Sequence, residues 1–120
     1  MSLCVGFDET KYKPIIIESF EGVDYIKANL AYNDEEKLKN IIELAKKKGI
    51  KTILDCKIGD IRRSQAAYLE KYKDFDYITI NPYMGFDVLL PFMKVRMGCF
   101  VLVLTSNDSR DDFQMMEDRN

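Results

Sequence analysis

The sequence contains no histidine. Any proton transfer it performs must therefore use Asp, Glu, Lys, Tyr or Cys. Net charge is nearly lacking too: 18 basic against 20 acidic residues leave -2 at neutral pH. That gives no electrostatic reason to expect nucleic acid or an anionic membrane as a partner. No apolar run approaches the roughly 20 residues that span a bilayer. The first residues, MSLCVGFDET, lack the basic-then-apolar layout of a secretory leader. Cysteine is scarce and odd in number. Cys4, Cys56 and Cys99 have no metal-ligand spacing and each sits in an apolar run, so they are expected to be buried free thiols in a reducing cytoplasm. Neither GxGxxG nor a P-loop is present, which removes the usual nucleotide fingerprints. There is no repeat, no low-complexity tract and no obvious linker. What is there, 120 residues at 47% hydrophobic and 32% charged, has the balance of one soluble globular domain.

Short apolar runs alternate with longer amphipathic ones. Strands are expected near residues 3–8, 24–29, 51–57, 76–81 and 99–105, rich in Val, Ile, Leu, Phe and Thr as buried parallel strands are. Between them, residues 34–48 carry Leu38, Ile41, Ile42 and Ala45 at helical spacing. Asn33 can cap that helix with Glu36 completing a capping box, Gly49 ends it, and Lys46, Lys47 and Lys48 suit its negative pole. Residues 61–73 put Ile61, Tyr68, Leu69 and Tyr72 on one face. Asp87 can cap a helix over 88–96 with Pro91 in its tolerant first turn. Pro14 can start a short helix ending near Gly22. The tyrosines and the pair Met115 and Met116 read as packing residues, and Arg62 and Arg63 as surface charge, with contact to phosphate the alternative.

Strand–helix alternation with right-handed crossovers means a parallel sheet covered by helices, either doubly wound or a (β/α) barrel. In both, chemistry gathers at the C-terminal ends of the strands. Asp8, Lys27, Asn29, Asp55, Lys57, Asn81, Thr105, Ser106 and Asn107 collect there. With no glycine-rich fingerprint for an open sheet's switch point, the barrel is the better reading. In TILDCKIGDI, residues 52–61, Asp55 and Lys57 are two apart and share one face of the strand while Cys56 takes the other. Lys27 and Asn29 face inward by the same rule. The expected result is a ring of Asp8, Lys27, Asp55 and Lys57, with Asp60 just past the strand. The spacing D-x-K-x-x-D is weak by itself, and a surface loop with modestly paired charges would also produce it.

Five blocks in order, LCVGFD, IKANLAY, ILDCKIGDIRRSQAAYLEKY, ITINPYMGFDVLLPF and CFVLVLTSN, resemble the orotidine 5'-phosphate decarboxylases, most of all the branch with NPY-x-G-x-D on the fourth strand. The resemblance implies a (β/α)8 barrel of TIM type that converts orotidine 5'-phosphate to UMP and carbon dioxide without metal or organic cofactor. It implies a homodimer whose two sites share residues. It assigns Lys27, Asp55, Lys57 and Asp60 to the catalytic charged network, Asp60 reaching the partner's site. By the same resemblance Asp8 holds the ribose; Asn29, inward-facing at the end of the second strand, is expected to bind substrate. Ile61 lines the partner's pyrimidine pocket, Ser64 stands where a threonine is usual, and Ser106 reads the pyrimidine edge.

Two departures stand out. TSND replaces the usual TSN-Pro-Gly after the fifth strand. Five βα units also cannot close an eight-stranded barrel, whose domains run to about 200 residues or more and grip phosphate with the loops after strands seven and eight. The chain is thus expected to be the N-terminal part of such an enzyme, one partial barrel domain over residues 1–120. Other readings are a metal-dependent sugar-phosphate decarboxylase or aldolase of the same barrel group, against which Lys27 on the second strand argues, and an inactive half-barrel serving as a binding or assembly module.

Overall fold

The computed structural model describes residues 1–8 and 20–116. Five strands form one parallel sheet in sequence order: β1 (Cys4–Phe7), β2 (Tyr25–Asn29), β3 (Lys51–Ile58), β4 (Tyr77–Ile80) and β5 (Gly98–Val101). Neighbours in the chain are neighbours in the sheet, the order of barrel staves rather than of a doubly wound sheet with its reversal. The expected helix starting at Pro14 falls outside the described residues.

Period-two alternation splits the sheet into two chemically different faces. Ile26, Ala28, Leu54, Ile58, Ile78 and Ile80 point to the helices and form the core with Leu38, Ile41, Tyr72, Val88 and Phe92. Gly6, Lys27, Asn29, Asp55 and Thr79 lie at the opposite parity. At the N-terminal end of that second face the layer is aromatic. Tyr25 and Tyr77 meet edge-on at 6.0 Å between ring centroids, and Tyr77 and Phe100 lie 5.5 Å apart. Gly98 sits directly against the Tyr77 ring, where a Cβ would come within 2.1 Å of it.

Helix α1 (Glu35–Lys48) begins one residue later than expected. Its cap is Asp34, which accepts from the Lys37 N–H at 2.8 Å, and not Asn33. Asn33 is buried and donates instead to the carbonyls of Phe7 and Asn29, at 2.8 and 2.7 Å. It ties the ends of β1 and β2 together. Gly49 ends the helix at φ 68 with its N–H on Ala45 and Lys46 carbonyls, a left-handed stop that a side chain would strain.

Helix α2 (Arg62–Tyr72) buries Tyr72 and half-buries Tyr68 and Leu69, but Ile61 stands outside it, 57% exposed at the cap position. Asp87 does not cap a helix over 88–96. It lies inside a 3-10 turn, Phe86–Val88, entered from Gly85 at φ 100, and α3 is the short helix Leu90–Lys94. The tight turn uses the residues the longer helix would have needed. Strand β5 stops at Val101, where β4 stops pairing with it, and the run on to Thr105 leaves the sheet. Cys4 is exposed on the second face while Cys56 and Cys99 are half-buried. Its apolar run misleads because alternation turns Cys4 away from the helices. Met115, Met116 and Tyr83 are also exposed, so they do not pack within the described residues.

Candidate active site

The site is built by a distortion in β3. Leu54 pairs with Ile78, but the next pairing is Ile58 with Ile80. Asp55, Cys56 and Lys57 therefore all stand opposite Thr79. Two extra residues preserve the alternation, so Ile58 returns to the helix face and Cys56 keeps its contact with the core. A one-residue bulge would have turned one of them outward. The distortion concentrates in Lys57, which takes φ 47, a rare conformation for a non-glycine residue.

Asp55 is the centre. It is only 5% exposed, and burial by itself pushes its pKa up. Hydrogen bonds from Lys57 and Lys27, the nearby Lys27 charge and a bond from Thr79 more than offset that, so its carboxyl is held below the usual carboxylate range. Oδ1 accepts from Lys57 Nζ at 2.6 Å and from Thr79 Oγ1 at 3.0 Å, and Oδ2 accepts from Lys27 Nζ at 2.9 Å. Lys27 in turn lies 3.8 Å from Asp8 Oδ2. The hydrogen bond to Asp55, against a smaller opposing effect of burial, raises the Lys27 pKa. The order Asp8, Lys27, Asp55, Lys57 alternates in sign across β1, β2 and β3.

Four of the sequence-predicted residues thus meet. Asn29 lines the adjoining cavity of about 390 Å³ with Leu30, Ala31, Asp55, Cys56 and Lys57. Its side chain accepts from the Ala31 N–H at 2.9 Å and shapes the turn after β2. Asp60 does not join the cluster within this chain. Its Oδ1 accepts from the Ile61 N–H at 2.7 Å. The exposed Ile61 and half-buried Ser64 lie at the start of α2, and Ser106 is exposed beyond β5. Gly59 allows the Asp60 loop to pass over β4, because a Cβ would lie 2.9 Å from the Asn81 carbonyl oxygen.

Thr79 is not among the residues the D-x-K-x-x-D motif singles out. The one trace it leaves in the sequence is a hydroxyl at an inward position of the otherwise apolar YITI run. Its Oγ1 accepts the N–H groups of Cys56 at 3.0 Å and Lys57 at 2.8 Å and donates to Asp55. An ammonium group held over an open face beside a buried carboxylate can deliver a proton and stabilise localised negative charge. No group of three or more His, Cys, Asp or Glu side chains among the described residues is arranged to hold a metal ion.

Comparison with known proteins places this arrangement. The family model for "Orotidine 5'-phosphate decarboxylase / HUMPS family" matches residues 1–120. Orotidine 5'-phosphate decarboxylase of Halobacterium salinarum is 36% identical over 108 residues, covering 86% of this chain and 40% of the relative. That of Dehalococcoides mccartyi is 34% identical, covering 96% of this chain and 50% of the relative. The solved structure of Leishmania donovani UMP synthase superposes with a TM-score of 0.78 at 32% identity, over 96% of this chain and 30% of that one. The chain spans at most half the length of these relatives, and its sheet is five consecutive staves of their eight-stranded (β/α) barrel.

Proposed function

The chain belongs to the orotidine 5'-phosphate decarboxylase / HUMPS family, and on that premise we propose that the protein it forms part of converts orotidine 5'-phosphate to UMP and carbon dioxide in pyrimidine biosynthesis. One observation carries the reading: the alternating array of Asp8, Lys27, Asp55 and Lys57 at the C-terminal ends of β1, β2 and β3. Breaking the bond from pyrimidine C6 to the carboxylate leaves an electron pair on C6 that no ring orbital delocalises. Preorganised charge must meet it. Lys57 supplies the cation and then gives C6 its proton, ending as a neutral amine. Lys27 and Asp55 hold Lys57 in place. A carboxylate fixed as Asp55 is also crowds the substrate's own carboxylate and favours its loss.

Asp8 takes the ribose hydroxyls, Asn29 belongs to the substrate site, and Ser106 reads the pyrimidine edge. Asp60, Ile61 and Ser64 serve the neighbouring site of a homodimer. Their positions favour this, since Asp60 bonds the Ile61 N–H and no member of its own cluster among the described residues, and Ile61 is exposed. Residues 1–120 contribute the first part of a single barrel domain. Three unpaired cysteines suit a cytoplasmic location.

The deciding experiment incubates the complete protein with orotidine 5'-phosphate and a chelator, and follows UMP formation and carbon dioxide release. Turnover without added metal is expected. A strict magnesium requirement would instead favour a sugar-phosphate decarboxylase or aldolase.

A further inference from the structure

The structure assigns to Thr79 the role of positioning residue for Lys57: its hydroxyl pins the β3 bulge and locks Asp55 as a proton acceptor, and through both it aims the ammonium. This inference rests on the decarboxylase reading and deepens it. A threonine hydroxyl has one proton to give and two lone pairs with which to accept. At Thr79 all three are used. The Cys56 and Lys57 N–H groups can only donate, so they occupy the lone pairs. The proton is left with a single destination, Asp55 Oδ1.

The consequences follow from counting. Two successive N–H groups of the bulge end on one atom, which holds Lys57 at φ 47. Such a backbone conformation persists only where surrounding contacts over-determine it. Oδ1 accepts from both Thr79 Oγ1 and Lys57 Nζ, so its two lone pairs are taken and a proton there would displace one of these bonds. The charged groups facing Asp55 are Lys27 from β2 and Lys57 from β3 itself, with Asp8 behind Lys27. Thr79 from β4 is the neutral member that fixes which way they point. Valine at this place would have the same shape and none of these bonds.

The test compares Thr79→Val, which removes the hydroxyl at constant shape, with Thr79→Ser, which keeps it, in the complete protein. Thr79→Val is expected to lower kcat by about 10-fold or more, the scale of a lost hydrogen bond to a charged group. KM should change by less than about threefold, because the geometry of proton delivery is lost and not the binding of nucleotide. The acid limb of the kcat profile should move to higher pH. Thr79→Ser should stay within about threefold of wild type on every count. Should Thr79→Val not fold, Thr79→Ala is read against Thr79→Ser in the same way. A hydroxyl-free variant with wild-type kcat and acid limb overturns the role, as does a serine variant impaired as badly as valine. So does a loss confined to KM. The Asp55 carboxyl titration, followed by NMR in the ligand-free complete protein, separates this inference from the functional reading. Absence of wild-type turnover removes the decarboxylase assignment alone. An Asp55 titration unchanged by loss of the hydroxyl overturns the positioning role whatever the enzyme does.

Discussion

Lys57 and Lys27 both bond Asp55, but on different oxygens and with different freedom. Lys57 Nζ reaches Oδ1 from a side chain that is half exposed, on the open face, while Lys27 lies deeper, between Asp8 and Asp55. The exposed one is the group a substrate can meet. In the proposed reaction, Lys57→Ala in the complete protein should therefore reduce kcat by on the order of 10³-fold or more, since it would remove both the proposed proton donor and the cation facing a charge that exists only at the transition state. Lys27→Ala should cost less in kcat, because it orients Asp55 and delivers no proton. Steady-state kinetics of the two variants side by side checks the order. A larger kcat loss for Lys27→Ala would exchange their roles.

At the scale of elements, Asp76 holds the N-terminal ends of β3 and β4 together. Its carboxylate accepts from the Lys51 ammonium at 2.7 Å and from the Thr52 N–H at 2.9 Å, and the Asp76 N–H donates to Thr52 Oγ1 at 3.1 Å. Burial raises its pKa, yet the bonds from Lys51 and Thr52 outweigh that and leave it below the ordinary value of 3.8. A depressed folded-state pKa gives stability that is present above the unfolded value and lost as pH falls through the folded one. Stability should drop below about pH 4, and Asp76→Asn should flatten that fall, as urea titrations between pH 2 and 6 would show. In α2, Gln65 is fully buried, and neither its amide nitrogen nor its oxygen has a hydrogen-bond partner among the described residues. Such a group costs about 1–3 kcal/mol. Gln65→Met, close in volume and apolar, should raise the midpoint of thermal unfolding. A lowered midpoint would show that the amide is satisfied in solution.

The whole molecule presents one finished face and one unfinished one. Helices cover the first. On the second, Phe100 is exposed with its ring 5.5 Å from that of Tyr77, and Val103 and Leu104 are exposed beyond the end of β5; the relatives carry more than twice the chain covered here. Residues 1–120 expressed alone should show no turnover of orotidine 5'-phosphate, because binding energy from the remote phosphate supports the chemical step and barrels of this class grip phosphate with their last loops. They should also self-associate through that face, which sedimentation would detect. Decarboxylation by this segment at the rate of the complete protein would mean that a second copy supplies the missing staves. The proposed homodimer with shared sites predicts that, in the complete protein, Asp60→Ala and Lys57→Ala subunits, each impaired alone, regain partial activity when mixed, since some heterodimers would carry one intact site; no recovery would overturn the sharing of residues.

The sequence by itself determined what depends on local pattern. Short runs rich in Ile, Val and Leu marked the five strands, Gly49 ended α1, and the spacing of Asp55 and Lys57 put them on one face. The ordered blocks of residues pointed to the family. Tertiary structure decided what depends on contacts between segments. Asn33 reads as a helix cap, but two carbonyls from β1 and β2 claim its amide, and Asp34 caps in its place. Asp87 reads as a cap, but the turn after Gly85 absorbs it. Cys4 reads as buried, but alternation puts it on the face opposite the helix-packed core, where it is exposed. Thr79 shows the limit most clearly. Its role requires β4 to lie beside a distorted stretch of β3, more than twenty residues away in sequence. A strand's own sequence carries its alternation, but a bulge and the hydroxyl that satisfies it exist only once two strands have paired.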